Sequence, residues 1–212
     1  MTSQDALATA STEPADEAQA TSGAPTARPL RADAVRNRAK VLAAANEAFA
    51  AEGPAVPLDE IARRAGVGAG TVYRHFPSKE ALVEAVLTDR MQALAADVEE
   101  RLVSDADPGE AFFGFFATMI ETGRGKADLA EALAADGAGL GPGTLQAAGR
   151  LEELFGELLE RAQQAGAVRA DVSRADLHAI AVAALAGEKR AAATPHGESG
   201  KLTRIICDGL RA

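Results

Sequence analysis

A chain of 212 residues, 47% hydrophobic and 25% charged with no tryptophan, has the composition of a soluble globular protein with a sizeable core. Its single cysteine, Cys207, excludes an intrachain disulfide, and no apolar run is long enough for a membrane span, so a cytoplasmic setting is expected. The formal charge of -9 argues against a nucleic-acid partner only if the charge is evenly spread, and it is not: residues 28–80 carry nine Lys/Arg against six Asp/Glu.

In chain order, residues 1–29 are rich in Ala, Thr, Ser, Pro and acids, without apolar periodicity and without the basic start and apolar block of a signal peptide. They read as a disordered tail. A first helix is predicted from about Ala32 to Ala51, with Val35, Ala39, Leu42, Ala45 and Phe49 on one stripe and Gly53-Pro54 as its stop. Leu58, Ile61, Ala62 and Ala65 then recur at helical spacing, and Gly66 supplies a left-handed helix end. Val67 plugs the turn. A second short helix runs from Ala69 to about His75, and Pro77 blocks its continuation. Ser78 is an N-cap for a third helix, with Glu80 in its first turn. Two helices joined steeply through a short glycine turn form a helix-turn-helix, whose second helix enters the DNA major groove.

The run Ile61-Ala62-x-x-Ala65-Gly66-Val67-x-x-Gly70-Thr71-Val72-Tyr73-x-His75-Phe76-x-Ser78-Lys79-x-x-Leu82 resembles the DNA-binding signature of TetR-type transcriptional regulators, and Val41 to Phe49 resembles that family's first helix. The resemblance covers roughly residues 36 to 85; the rest of the chain matches the family in length and helical character alone.

Candidate DNA-binding residues are Ala69, Gly70, Thr71, Tyr73, Arg74 and His75, with Lys79 at the next helix start. Thr71 offers a hydroxyl to a phosphate and a methyl to thymine; Tyr73, His75 and Lys79 suit phosphate oxygens. The resemblance places the family's usual DNA contacts at Thr71, Tyr73, His75 and Lys79. Simpler roles stand beside these: Tyr73 packing on the first helix, His75 as a buried cap, and Arg63 and Arg64 as a solvated face. Ala69 and Gly70 are small where a longer polar side chain could read a base, so phosphate contacts, the Thr71 methyl and a basic arm at Arg28 and Arg31 are expected to carry a larger share of the binding.

The helix from Ser78 extends its apolar face to about Val103, and further helices are predicted over about 109–123, 126–136, 143–166, 173–193 and 199–211. No alternating strand pattern of useful length occurs. The expected fold is all-α with about nine helices: a three-helix DNA-binding head over residues 30–80 and a larger effector-binding and dimerisation domain over 81–212. The stretch Leu177 to Ala186 is apolar on more than one face and reads either as an internal helix or as a homodimer surface; the resemblance favours pairing through the last two long helices. Phe112, Phe113, Phe116, Met119, Ile120 and Phe155 read either as plain core or as the lining of a cavity for a small apolar effector. Glu121, Arg124 and Arg150 are weaker candidates for its polar end.

No carboxylate pair, phosphate-binding glycine loop or metal-ligand spacing is present, so no catalytic residue, metal or cofactor is expected; His75, His178 and His196 are far apart in the chain. An enzyme and a DNA-binding protein without a ligand are the competing readings. The resemblance implies a repressor bound to a palindromic double-stranded DNA operator, released when the effector favours a different spacing of the two heads.

Overall fold

The computed structural model describes residues 27–135, 139–194 and 198–212; most of the expected tail, and His196, lie outside these. The described residues form eight helices: α1 (Ala27–Glu52), α2 (Leu58–Ala65), α3 (Ala69–His75), α4 (Lys79–Val103), α5 (Pro108–Ala135), α6 (Pro142–Gln164), α7 (Arg174–Ala192) and α8 (Lys201–Leu210). Among them the only extended pairing is an isolated bridge between Val168 and Arg211.

The start of α1 differs from the expectation. The helix begins at Ala27, and Val35 and Ala39 are exposed, Val35 by 69%. The apolar stripe reaches the core only from Val41 onward, through Leu42, Ala44, Ala45, Ala48 and Phe49; among the described residues nothing covers Val35 and Ala39 of the earlier turns. Arg28 and Arg31 therefore lie on the first turns of a helix, and their side chains are outside the described residues.

The turn between α2 and α3 follows directly from Gly66. At φ 65°, ψ 33°, it lets its own N–H donate to the Arg63 carbonyl and the Val67 N–H donate to the Ala62 carbonyl, closing α2 in a Schellman motif. Ser78 caps α4 by accepting from the Ala81 N–H at 3.2 Å, and the hydrogen bond between Ser78 and Glu80 holds the Glu80 carboxyl below its ordinary value.

Two hydrophobic clusters organise the molecule. One joins Val41 to Phe49 of α1, Ile61 of α2, Val72 and Phe76 around α3, and Leu82 to Leu87 of α4, together with Leu129 and Leu133 of α5. The other gathers Leu94 to Val98 of α4, the phenylalanines of α5, and α6, α7 and Leu210 of α8. Helix α4 is thus common property: its first turns belong to the head core and its last turns to the body core. Two polar clips hold it. Arg90 donates to the Asn46 side chain at 2.7 Å and to the Asn46 carbonyl at 2.9 Å, while Asn46 donates to Asp89, tying α4 to α1. On another face, the buried Thr144 hydroxyl lies 2.8 Å from the Thr88 hydroxyl and donates to Glu84, tying α4 to the start of α6.

Helix α5 runs unbroken where two helices, 109–123 and 126–136, are expected. Gly123 interrupts nothing; it makes room. A Cβ there would stand 2.1 Å from Leu185 of α7, so the glycine permits α7 to press onto α5. Helix α7 buries Leu177, Ala181 and Ala184 against the body and exposes Ala179, Val182, Ala183 and Ala186, so it is neither wholly internal nor wholly surface.

Glu188 on α7 is 2% exposed and accepts from the N–H groups of Gly200 and Thr203 and from the Thr203 hydroxyl, at 2.9–3.0 Å. A buried carboxylate at the start of α8 is stabilised by these charge-assisted bonds and by the helix dipole. Glu188→Ala is expected to destabilise the body by about 3 kcal/mol through the stranded donors, lowering the melting temperature by about 6–12 °C in a thermal denaturation.

Candidate DNA-binding face and effector cavity

Helix α3 divides cleanly. Val72 is 0% and the adjoining Phe76 2% exposed, and both enter the head core. Ala69, Gly70, Tyr73 and Arg74 are exposed, Tyr73 by 48%, and Thr71, His75 and Lys79 are half-buried at the edges. All seven candidate DNA contacts therefore lie on or beside one accessible face. Tyr73 is not packed into the head, and His75 keeps part of its ring at the surface. Glu80, in the first turn of α4, follows Lys79 directly.

Arg63 and Arg64 are committed elsewhere. Arg63 pairs with Glu60 at 2.7 Å, and Arg64 bridges Glu60 at 2.7 Å and Glu52 at 2.6 Å. Hydrogen bonds from the two guanidiniums pull the Glu60 carboxyl down to about 2. Sequence reasoning did not single out Arg38, whose guanidinium lies 5.2 Å from the Phe76 ring centroid, placing a cation beside the end of α3. Only the charge excess of the region hinted at it, because the contact joins residues 38 apart in sequence.

The cavity borders the phenylalanine cluster at Phe155 and does not lie within it. Phe112, Phe113, Phe115, Phe116 and Phe155 stack and edge onto one another with centroids 5.1–6.4 Å apart. Phe112, Phe113, Phe116 and Ile120 are filled body core and take no part in the lining of the cavity; of the six expected lining residues, Met119 and Phe155 reach it. The cavity, about 410 Å³, opens between the two cores. Leu87, Ala130 and Leu140 form its wall toward the head; Met119, Phe155, Leu177 and Ala181 form its wall toward the body. Leu87 is fully buried and belongs at once to the head core and to the cavity lining. The polar groups, Glu152, Arg174 and His178, gather where α6 meets the first turns of α7. Arg174 is engaged there by Glu160 at 2.7 Å. Glu121 and Arg150 are not part of this lining, and the Arg124 side chain lies outside the described residues. Burial pushes the Cys207 thiol up, the opposite of an activated nucleophile.

Two measurements probe the head. Lys79→Ala should weaken DNA binding similarly on all sequences and reduce the slope of log K against log salt by about 0.9, read in a titration over several salt concentrations. Glu60 has a folded pKa of about 2 against an ordinary 4.5, so its stabilisation is present above pH 4.5 and is lost as pH falls toward 2. A Glu60→Gln variant should show a shallower fall of melting temperature than wild type across that window.

Comparison with known proteins completes the picture. Residues 41–86 match the family model for bacterial regulatory proteins of the tetR family, and residues 107–212 match the model for the C-terminal domain of SbtR-like transcriptional regulators. A crystal structure of a TetR transcription regulatory protein from Mycobacterium vanbaalenii is 45% identical, with 87% of this chain and 100% of that chain covered and a TM-score of 0.69. A TetR transcriptional regulator from Streptomyces coelicolor is 33% identical over 82% of this chain and 98% of its own, with a TM-score of 0.61. An HTH-type transcriptional regulator of Pseudomonas putida, TtgW, is 44% identical over 72 residues, which are 34% of this chain and 54% of that protein; the likeness thus spans about half of that relative's length. With an exposed α3 carried on a glycine-turned helix pair, and with both halves of the chain matched, this protein belongs to the TetR family of DNA-binding transcriptional regulators.

Proposed function

We propose that the chain is a ligand-responsive repressor: a homodimer that holds a palindromic operator through Thr71, Tyr73, Arg74, His75 and Lys79 of each head and releases it when a small apolar effector enters the body. In this reading residues 30–80 form the head and residues 81–212 the effector and dimerisation unit. The observation that carries the proposal is the position of the cavity. It is walled mostly by aliphatic, Met and Phe side chains, and one wall is Leu87, a residue of the head core. A molecule that enlarges this space displaces α4 at the point where α4 holds the head.

A short recognition helix covers few base pairs, so specific binding calls for two heads related by a two-fold axis. The exposed apolar residues of α7, with Ile205 of α8 58% exposed, provide a face for the second copy. Binding is reciprocal by thermodynamic necessity: an effector that lowers operator affinity has its own affinity lowered by operator to the same degree.

The test has two stages. Selection of bound duplexes from a random pool at fixed salt should return a palindromic consensus; a consensus without two-fold symmetry contradicts the paired heads. Apolar compounds that raise the melting temperature should then reduce affinity for that consensus by roughly 5- to 150-fold. Stabilising compounds that leave operator affinity unchanged would leave a DNA-binding protein whose body serves only dimerisation.

A further inference from the structure

The apolar stripe of α1 ends in an arginine. Arg38, Leu42, Ala45 and Phe49 follow one another at intervals of four, three and four residues, so they share one face of the helix. Leu42, Ala45 and Phe49 lie in the head core, and Arg38 stands one turn outside it, exposed. Its guanidinium lies over the Phe76 ring, 5.2 Å from the centroid, and Phe76 is itself 2% exposed. Phe76 follows His75 directly, and the two rings stand 6.4 Å apart at 57°. A buried aromatic ring at the end of α3 thus has a cation from α1 over its face and a candidate DNA contact beside it.

Arg38 differs from its neighbours in what it is bonded to. Arg36 pairs with Asp33, Arg63 with Glu60, and Arg64 with both Glu60 and Glu52. Among the described residues Arg38 pairs with no carboxylate. Glu80, the acid nearest in the chain to the end of α3, is hydrogen-bonded with Ser78. Arg74 and His75 in the last turn of α3, and Lys79 at the start of α4, bring further basic groups to the same end. Basic groups gathered without free acids suit a polyanion. A guanidinium resting on an aromatic face keeps N–H groups free for a forked acceptor such as two phosphate oxygens. The ring also limits the side-chain freedom that binding would otherwise have to remove.

We infer that Arg38 grips a backbone phosphate of the bound duplex, with Phe76 as the platform that presents its guanidinium. This rests on the DNA face of the proposed function and extends that face from α3 and α4 to α1. The contact carries no base information; it fixes the register of the head on the duplex. Arg38 and Lys79 belong to different helices, so their contacts hold the head at two separate points. Phe76 is a member of the head core, so the position of Arg38 is tied to the packing beneath the recognition helix.

The experiment uses the full chain with two duplexes, one carrying the selected consensus and one scrambled to the same composition, each titrated at several salt concentrations. Arg38→Met keeps an unbranched stem over the ring and removes the charge. It should melt as wild type does, bind both duplexes about tenfold more weakly and reduce the slope of log K against log salt by about 0.9. Arg38→Lys keeps the charge without the planar fork, so it should keep the slope and show an intermediate affinity. Arg38→Gln, read in the same way as the Met variant, replaces it if the Met variant does not fold. An unchanged slope in the uncharged variant means that Arg38 only covers Phe76, and the inference is overturned. A loss confined to the consensus duplex means base reading and overturns it as well, as does a Lys variant whose slope falls as far as that of Met. Lys79→Ala, measured alongside, separates the two kinds of failure. Unchanged slopes at both positions sink the DNA face itself, whereas an unchanged slope at Arg38 alone sinks this inference and leaves the face standing.

Discussion

The packing of Leu87 constrains everything else in this molecule. A fully buried leucine contributes about 2 kcal/mol by leaving water, and here it serves two structures at once, the core beneath the recognition helix and the wall of the cavity. Since protein interiors are close-packed, a change of volume on one side of Leu87 must be taken up on the other. The polar clips define how. Asn46 with Asp89 and Arg90 binds α4 to α1, and Thr144 with Glu84 and Thr88 binds α4 to α6. In the proposed mechanism the cavity is the compliant element between these two clips.

The head was legible in the sequence because its information is local. Gly66, Ser78 and Pro77 mark the ends of short helices by chain chemistry alone, and the inward Val72 and Phe76 leave a single outward face for Thr71, Tyr73, Arg74 and His75. The limits of α2 to α4 followed to within a residue. The front of α1 was not legible, since Val35 and Ala39 continue the apolar period of a core-facing helix but extend past the other described elements that could cover them. Periodicity reports which residues share a face, not whether a neighbour exists.

The body was legible as helices and not as a site. Six apolar residues concentrated on two helices suggest a cavity, yet aromatic rings that can stack on one another fill space instead of leaving it, and that is the fate of Phe112, Phe113 and Phe116. The space remains where residues smaller than phenylalanine meet, Gly123 and Ala130 of α5, Leu140 just before α6 and Ala181 of α7, and this depends on how α4 to α7 pack together. Gly123 shows the same difficulty. It reads as a helix stop, whereas its missing side chain is occupied by Leu185 from a helix about sixty residues on.

If the cavity is the compliant element between head and body, filling it with protein should imitate a ligand. The most direct measurement is the operator affinity of Ala130→Phe, which fills the head-side wall, beside that of Ala181→Phe, which fills the body side. The account predicts that Ala130→Phe lowers operator affinity at least tenfold with no compound present and keeps a folded head by circular dichroism, while Ala181→Phe has a smaller effect. Operator affinity unchanged in both folded variants would contradict it.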